Sequence, residues 1–161
     1  MKFNNLLEVT KHFSNINKDN YYLNYFLSEG TISLEWYEAI LKEVLKYKPK
    51  RVIDIGSSVN FFGYLFANEG IEYIGIDEDL CGLTPITGKN IRFIHNNYYN
   101  IREQFKDDII ISCLCVGYLI PIEDVVGKLL IINDSKGTKK KFKCTAKVIN
   151  LKEKEYGKET I

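Results

Sequence analysis

Five short β-branched runs, spaced by segments of about a dozen residues, constrain this chain more than any other feature. They are Arg51-Val52-Ile53-Asp54-Ile55-Gly56, Glu72-Tyr73-Ile74-Gly75-Ile76-Asp77, Ile91–His95, Asp108–Leu114 and Lys128–Asn133. A run this short and apolar at successive positions reads as a strand covered on both faces, the habit of parallel sheets. A parallel crossover needs a dozen or more residues. Residues 78–90, 96–107 and 115–127 only just reach that length, so each later crossover has room for one short helix. The repeated strand–crossover order predicts an α/β, three-layer architecture around a mostly parallel five-stranded sheet. Beyond Asp134-Ser135-Lys136-Gly137 the pattern changes. Phe142, Cys144, Ala146 and Val148 alternate with Lys141, Lys143, Thr145 and Lys147, a period of two with one wet face. The turn before this run is too short for a crossover, so its strand is expected to lie antiparallel to the fifth.

The first third of the chain reads as helix. Short helices are expected over Asn4–Phe13 and Tyr21–Leu27, forming an N-terminal helical cap over residues 1–33. Ser33 has the chemistry of an N-cap, with Glu35 in the following turn. Leu34, Tyr37, Ile40, Leu41, Val44 and Leu45 then recur at helical spacing, and Pro49 marks the stop. Asn60 to Glu69 reads as a further helix, apolar nearly all round and ended by Gly70. Together these predict a single domain over residues 1–161, with a ligand-binding core over 34–133 and an antiparallel strand and tail over 134–161.

Charge narrows the partners. Twenty-two basic and 21 acidic residues leave a formal charge of +1, so nothing points to nucleic acid or to a charged membrane surface. No apolar run approaches the ~20 residues of a membrane span, and the N-terminus shows no signal-peptide core; a cytoplasmic location is expected. Cys81, Cys113, Cys115 and Cys144 lack zinc or redox spacing and are expected as buried free thiols, with no metal site. A strand would point Cys113 and Cys115 the same way. The lysines at 139, 140, 141, 143 and 147 are read as solvation of an exposed edge strand.

Ligands of open α/β sheets bind beyond the carboxyl ends of the strands, where the strand order reverses. Here those loops begin at Asp54, Asp77, Asn96 and Cys113. In Asp54-Ile55-Gly56-Ser57-Ser58-Val59-Asn60, Gly56 allows a tight turn and a close ligand approach. Ser57 and Ser58 offer hydroxyls beside what is expected to be a helix N-terminus. Asp77 ends the second strand about 21 residues beyond Gly56, the place from which a carboxylate accepts ribose hydroxyls. Order and spacing together predict a nucleoside site. G-x-G-x-x-G and Tyr-x-x-x-Lys are both missing, which sets a nicotinamide oxidoreductase lower. His12 and His95 stand without a visible partner and are read as structural. Tyr21, Tyr22, Tyr25, Tyr98, Tyr99 and Tyr118 are candidates for pocket walls, although packing accounts for most tyrosines. No catalytic residue is assigned.

Val52-Ile53-Asp54-Ile55-Gly56-Ser57-Ser58 and Tyr73-Ile74-Gly75-Ile76-Asp77, followed by Phe93-Ile94-His95-Asn96-Asn97 and Asp108-Ile109-Ile110-Ile111-Ser112-Cys113-Leu114, resemble the class I S-adenosylmethionine-dependent methyltransferases over residues 34–133. The resemblance implies a Rossmann-like fold, S-adenosylmethionine as cofactor and methyl transfer to an acceptor the sequence does not name. It also implies cofactor-binding roles for Asp54, Gly56, Ser57, Ser58, Asp77 and Asn97, the last toward adenine. Ser58 and Asn60 stand where that family usually has further glycines, and Asn60 is expected to narrow the site. The reduced C-terminal elements imply that substrate recognition is either reduced or supplied by a protein partner that completes the substrate side. The alternative is a catalytically inactive relative acting as a binding or assembly module.

Overall fold

The computed structural model describes residues 2–14, 21–134 and 144–152, with side chains omitted for 14 and 21–32. Helix α1 spans Leu6–Ser14 and α2 spans Tyr21–Leu45. Strand β1 (Arg51–Ile55) leads to the short helix α3 (Gly63–Ala67) and then to β2 (Glu72–Asp77). Strand β3 (Ile91–His95) is followed by α4 (Tyr98–Ile101) and a 3-10 turn over Arg102–Phe105. Strand β4 (Ile109–Ser112), a second 3-10 turn (Ile122–Asp124), β5 (Leu129–Asn133) and β6 (Ala146–Asn150) complete the order.

One six-stranded sheet results, in the order β3-β2-β1-β4-β5-β6. Every pair is parallel except β5–β6, where Leu129 faces Asn150 and Asn133 faces Ala146. This is the mostly parallel α/β sandwich expected from the run spacing, and it is Rossmann-like, as the resemblance implied. The chain moves outward from β1 to β3, then crosses back to β4 on the other side of β1. The reversal therefore falls between β1 and β4.

Strand alternation sorts the core into two layers. Val52, Tyr73, Ile91, Ile109, Ile111, Leu129 and Ile131 pack with α1, α2 and α3 residues such as Val9, Phe13, Ile40, Val44 and Phe66. Ile53, Ile55, Ile74, Ile76, Ile110, Leu130 and Ile132 face the opposite way, against Tyr98, Phe105, Val116 and Val125 from the short crossovers. Loops, one-turn helices and 3-10 turns thus cover the second face. Burying these β-branched side chains at roughly 1.5–3 kcal/mol each is what holds so thin a cover in place. Arg51 and Asp108 join the starts of β1 and the β4 segment through two hydrogen bonds of 2.7 Å.

Several local expectations need correction. The helices predicted over Tyr21–Leu27 and from Ser33 are one continuous helix, so Ser33 lies in its interior and caps nothing. The helix predicted over Asn60–Glu69 is only Gly63–Ala67. Backbone at Ser58 and Asn60 is left-handed, at φ +53° and +65°, which no helix permits. Strand β4 stops at Ser112, and Leu114 takes φ +64°. Cys113 consequently packs with the helical face and Cys115 with the opposite one. All four cysteines are free and partly rather than fully buried. Of the edge-strand pattern, Ala146–Asn150 forms the strand and Lys147 is exposed. Phe142 and the lysines at 139, 140, 141 and 143 lie outside the described residues.

Candidate functional site at the carboxyl edge of the sheet

A cleft of about 520 Å³ opens over the carboxyl ends of β1, β2 and β4, at the reversal of strand order. Its floor comes from the loop after β1. Gly56 has φ +75° and its N–H donates to the Ile76 carbonyl at 2.9 Å. Left-handed residues then alternate along the loop: Gly56, Ser58 and Asn60. Ser58 and Asn60 stand at the positions where the resembled family has further glycines, and both take left-handed backbone here. Asparagine tolerates that conformation well.

Asn60 does not narrow the cleft. It is fully buried beneath the loop, where its Nδ2 donates to the carbonyls of Ile86 and Arg92 at 3.0 Å each. Gly75 of β2 makes this seat possible, because a Cβ there would collide with both Asn60 and Ser57. The glycine inside the strand thus serves the close approach of the loop.

Asp77 stands at the end of β2 on the cleft wall. Its Oδ2 accepts from the Ser58 N–H at 2.8 Å and its Oδ1 from the Asp79 N–H at 3.0 Å. Burial holds its pKa above the ordinary carboxylate value, against the pull of those amides. The carboxylate therefore ties the β1 loop to the β2 loop. The carboxylate keeps acceptor capacity for a ligand hydroxyl beyond these amides.

Asn97 also reaches the cleft. It caps α4, its Oδ1 accepting from the Tyr99 N–H at 3.0 Å, while its Nδ2 donates to Glu78 at 2.9 Å. Gly56, Ser57, Ser58, Asp77 and Asn97 are thus brought together on one cavity. Asp54 is not among its lining residues. It is wholly buried, and its Oδ2 accepts from the phenols of Tyr37, at 2.8 Å, and Tyr73. Its Oδ1 has no hydrogen-bond partner. Loss of solvation pushes the Asp54 pKa up to about 7, despite the two tyrosines pulling it down.

Sequence reasoning missed Tyr37, which both touches the cleft and donates to Asp54. Its helical spacing marked it only as a core residue. Phe61 and Phe62 also form wall, with Phe62 stacked on Tyr37 at 4.5 Å between ring centres. Cys113 and Cys115 line the β4 side, and burial pushes both thiols up, Cys115 to about 11. Such thiols are not reactive nucleophiles. His12 instead packs edge-on against Phe3 and Phe13. His95 bonds through Nε2 to the Glu78 carbonyl at 2.9 Å, and neither histidine lines the cleft. The side chains of Tyr21, Tyr22 and Tyr25 lie outside the described residues.

The charged side chains lining the cleft are Asp77, Glu78 and Asp79; among the described residues no lysine, arginine or histidine joins them. An acid-only cleft repels phosphate and favours cationic or neutral ligands. Helix α3 has only five residues and begins beyond the loop, so no long helix points its N-terminus at the floor. Among the described residues there is no cluster of potential metal ligands, and no helix is long and apolar enough to cross a membrane.

No protein-family model matches the chain, and no curated protein matches it. Among solved structures it is similar to the plantazolicin methyltransferase BamL in complex with a triazolic desmethylPZN analog and SAH, at 23% identity and a TM-score of 0.46. That match covers 80% of this chain and 55% of BamL. The plantazolicin methyltransferase BpumL, with a monoazolic analog and SAH, matches at 18% identity and a TM-score of 0.49, covering 80% and 57%. The MycE methyltransferase from the mycinamycin biosynthetic pathway, with Mg and SAH, matches at 16% and 0.36, covering 86% and 36%. The chain spans little more than half the length of the two plantazolicin enzymes.

Proposed function

We propose that the cleft binds S-adenosylmethionine and that the protein transfers its methyl group to an acceptor. The observation that carries this reading is Asp77. It is a half-buried carboxylate at the end of β2, on a cleft at the strand reversal whose floor is a left-handed glycine turn. A ribose needs an acceptor for its hydroxyls, and the Asp77 carboxylate keeps acceptor capacity beyond its loop amides. Gly56, at φ +75°, turns the chain at the floor of the cleft. The acid-only lining fits a sulfonium, which bears positive charge, and disfavours the pyrophosphate of a dinucleotide.

When bound, the cofactor supplies an activated methyl on its sulfonium. The residues of the chain bind and orient: Asp77 toward the ribose, Asn97 beside the adenine, Ser57 and Ser58 along the methionine part. Positioning can supply much of the acceleration of such an in-line displacement, and no catalytic residue is assigned.

A second reading rests on a specific observation. Both Asp77 oxygens already accept loop amides, and the Asn97 side chain is held by Glu78 and the Tyr99 N–H. These bonds stabilise the loops whether or not a ligand is present, as a catalytically inactive binding or assembly module would need. Calorimetric titration with S-adenosylmethionine and S-adenosylhomocysteine, on the intact chain and on Asp77→Ala, separates the two. Micromolar binding that the variant loses supports the cofactor site. Failure of the intact, folded chain to bind either compound retires it in favour of the module.

A further inference from the structure

Seven large apolar side chains are strongly exposed among the described residues, and three of them, Tyr99, Leu114 and Leu119, line the cleft. Tyr99 is 44% exposed, Leu114 51%, Tyr118 58% and Leu119 81%. Tyr99, Leu114 and Leu119 line the cavity itself, and Tyr118 precedes Leu119 in the same turn. Single exposed leucines are ordinary; a cluster at the rim of a cavity is not.

The backbone holds these side chains outward. The Cys115 carbonyl accepts from the N–H groups of Tyr118 and Leu119 at 3.1 and 2.9 Å, and the Gly117 N–H donates to Ile120 at 2.7 Å. Leu114 sits at φ +64°, unusual for a branched side chain, with its N–H fixed by Asn133 Oδ1 at 2.9 Å. Left-handed backbone of this kind costs of order 1–3 kcal/mol, and such strain gathers at ligand sites.

We propose that this mouth is the acceptor subsite, and that it takes a small, apolar molecule without negative charge; the acceptor role rests on the methyl-transfer reading. Charge decides the class, since an anion would enter a cleft whose lining charges are Asp77, Glu78 and Asp79. Size decides against a protein surface. The cavity these side chains line, about 520 Å³, is of the size that takes a small molecule.

Two ring-matched probes test the proposal: neutral 2-naphthol and anionic 2-naphthoate. Each is titrated by fluorescence and amide chemical shifts into the full chain, with and without S-adenosylhomocysteine, and into Leu119→Ser. The expected result is 2-naphthol binding with shifts at residues 114–120, at least tenfold tighter than 2-naphthoate and at least fivefold weakened by Leu119→Ser. Absence of 2-naphthol binding, equal binding of the anion or indifference to Leu119→Ser overturns the proposal. So does concentration-dependent dimerisation abolished by Leu119→Ser, which assigns the patch to a second copy. The titration without S-adenosylhomocysteine reads the mouth alone, so failure of the cofactor reading registers separately, in the calorimetry.

Discussion

Gly56 and Cys115 touch across the β1–β4 reversal: a Cβ built on Gly56 would lie 2.6 Å from the Cys115 Cβ and 2.7 Å from its sulfur. The glycine therefore answers two demands at once, a left-handed φ of +75° and the absence of a side chain. Gly56→Ala is expected to destabilise the fold by about 2–4 kcal/mol, combining backbone strain with overpacking. Cys115→Ala in the same chain removes the sulfur and leaves the Cβ contact, so it should restore only a minor part. Urea unfolding of the single and double variants checks this. Full recovery in the double variant would show that the sulfur alone excludes a side chain at residue 56.

Ser58 and Asn60 share the left-handed conformation but not its consequences. The Ser58 hydroxyl and the Asn60 Oδ1 are both buried without a hydrogen-bond partner, but the Asn60 Nδ2 donates twice. Ser58→Gly removes backbone strain and an unsatisfied oxygen together, against the extra chain entropy of glycine. It should stabilise the protein by about 0.5–1 kcal/mol. Asn60→Gly loses both bonds that hold the loop to Ile86 and Arg92 and should destabilise by about 2 kcal/mol or more. Opposite shifts of the unfolding midpoint are the expected outcome, and equal shifts would refute the distinction.

Sheet architecture was legible because β-branched runs and crossover lengths leave few topologies open. The placing of Gly56 and Asp77 on the cleft followed from it. Less legible were features set by tertiary contact. Helical periodicity cannot tell a core tyrosine from Tyr37, whose ring meets the cleft while its hydroxyl meets Asp54. The apolar string after Asn60 suggested a long helix, but Asn60 bonds to β3 and the Ile86 segment, and its backbone turns left-handed. Ser33 has N-cap chemistry, yet lies inside α2; a cap is chosen by where the helix starts, not by the serine alone. The Leu114 turn, which sends Cys113 and Cys115 to opposite faces, has no sequence signal of the kind a glycine would give.

Asp54 should leave a pH signature on stability. In the folded chain its pKa is raised from 3.8 to about 7 by burial. Below about pH 4 both folded and unfolded chains hold the proton, and the group exerts no penalty. Between about 4 and 7 the unfolded chain releases it while the folded chain keeps it, so stability falls as pH rises. Above about 7 the loss is complete and amounts to at most about 4 kcal/mol. Asp54→Asn cannot titrate, so the variant should gain on the parent protein as pH goes from 4.5 to 8. Urea midpoints of the pair at both pH values test this, and a constant gap between them would mean that Asp54 ionises at its ordinary value.

The acid-only lining predicts discrimination between the two forms of the proposed cofactor. S-adenosylmethionine carries one net positive charge at neutral pH, and S-adenosylhomocysteine carries none. Asp77, Glu78 and Asp79 attract the first more than the second, and salt screens that attraction where the carboxylates meet solvent. Raising sodium chloride from 50 to 500 mM should therefore weaken S-adenosylmethionine about two- to threefold and leave S-adenosylhomocysteine nearly unchanged. Glu78→Gln, on the cleft wall, should reduce the salt effect on the charged form without altering the neutral one. Calorimetry at the two salt concentrations measures both. Equal salt dependence for the two ligands would place the sulfonium away from the carboxylates and leave Asp77 as a hydroxyl acceptor alone.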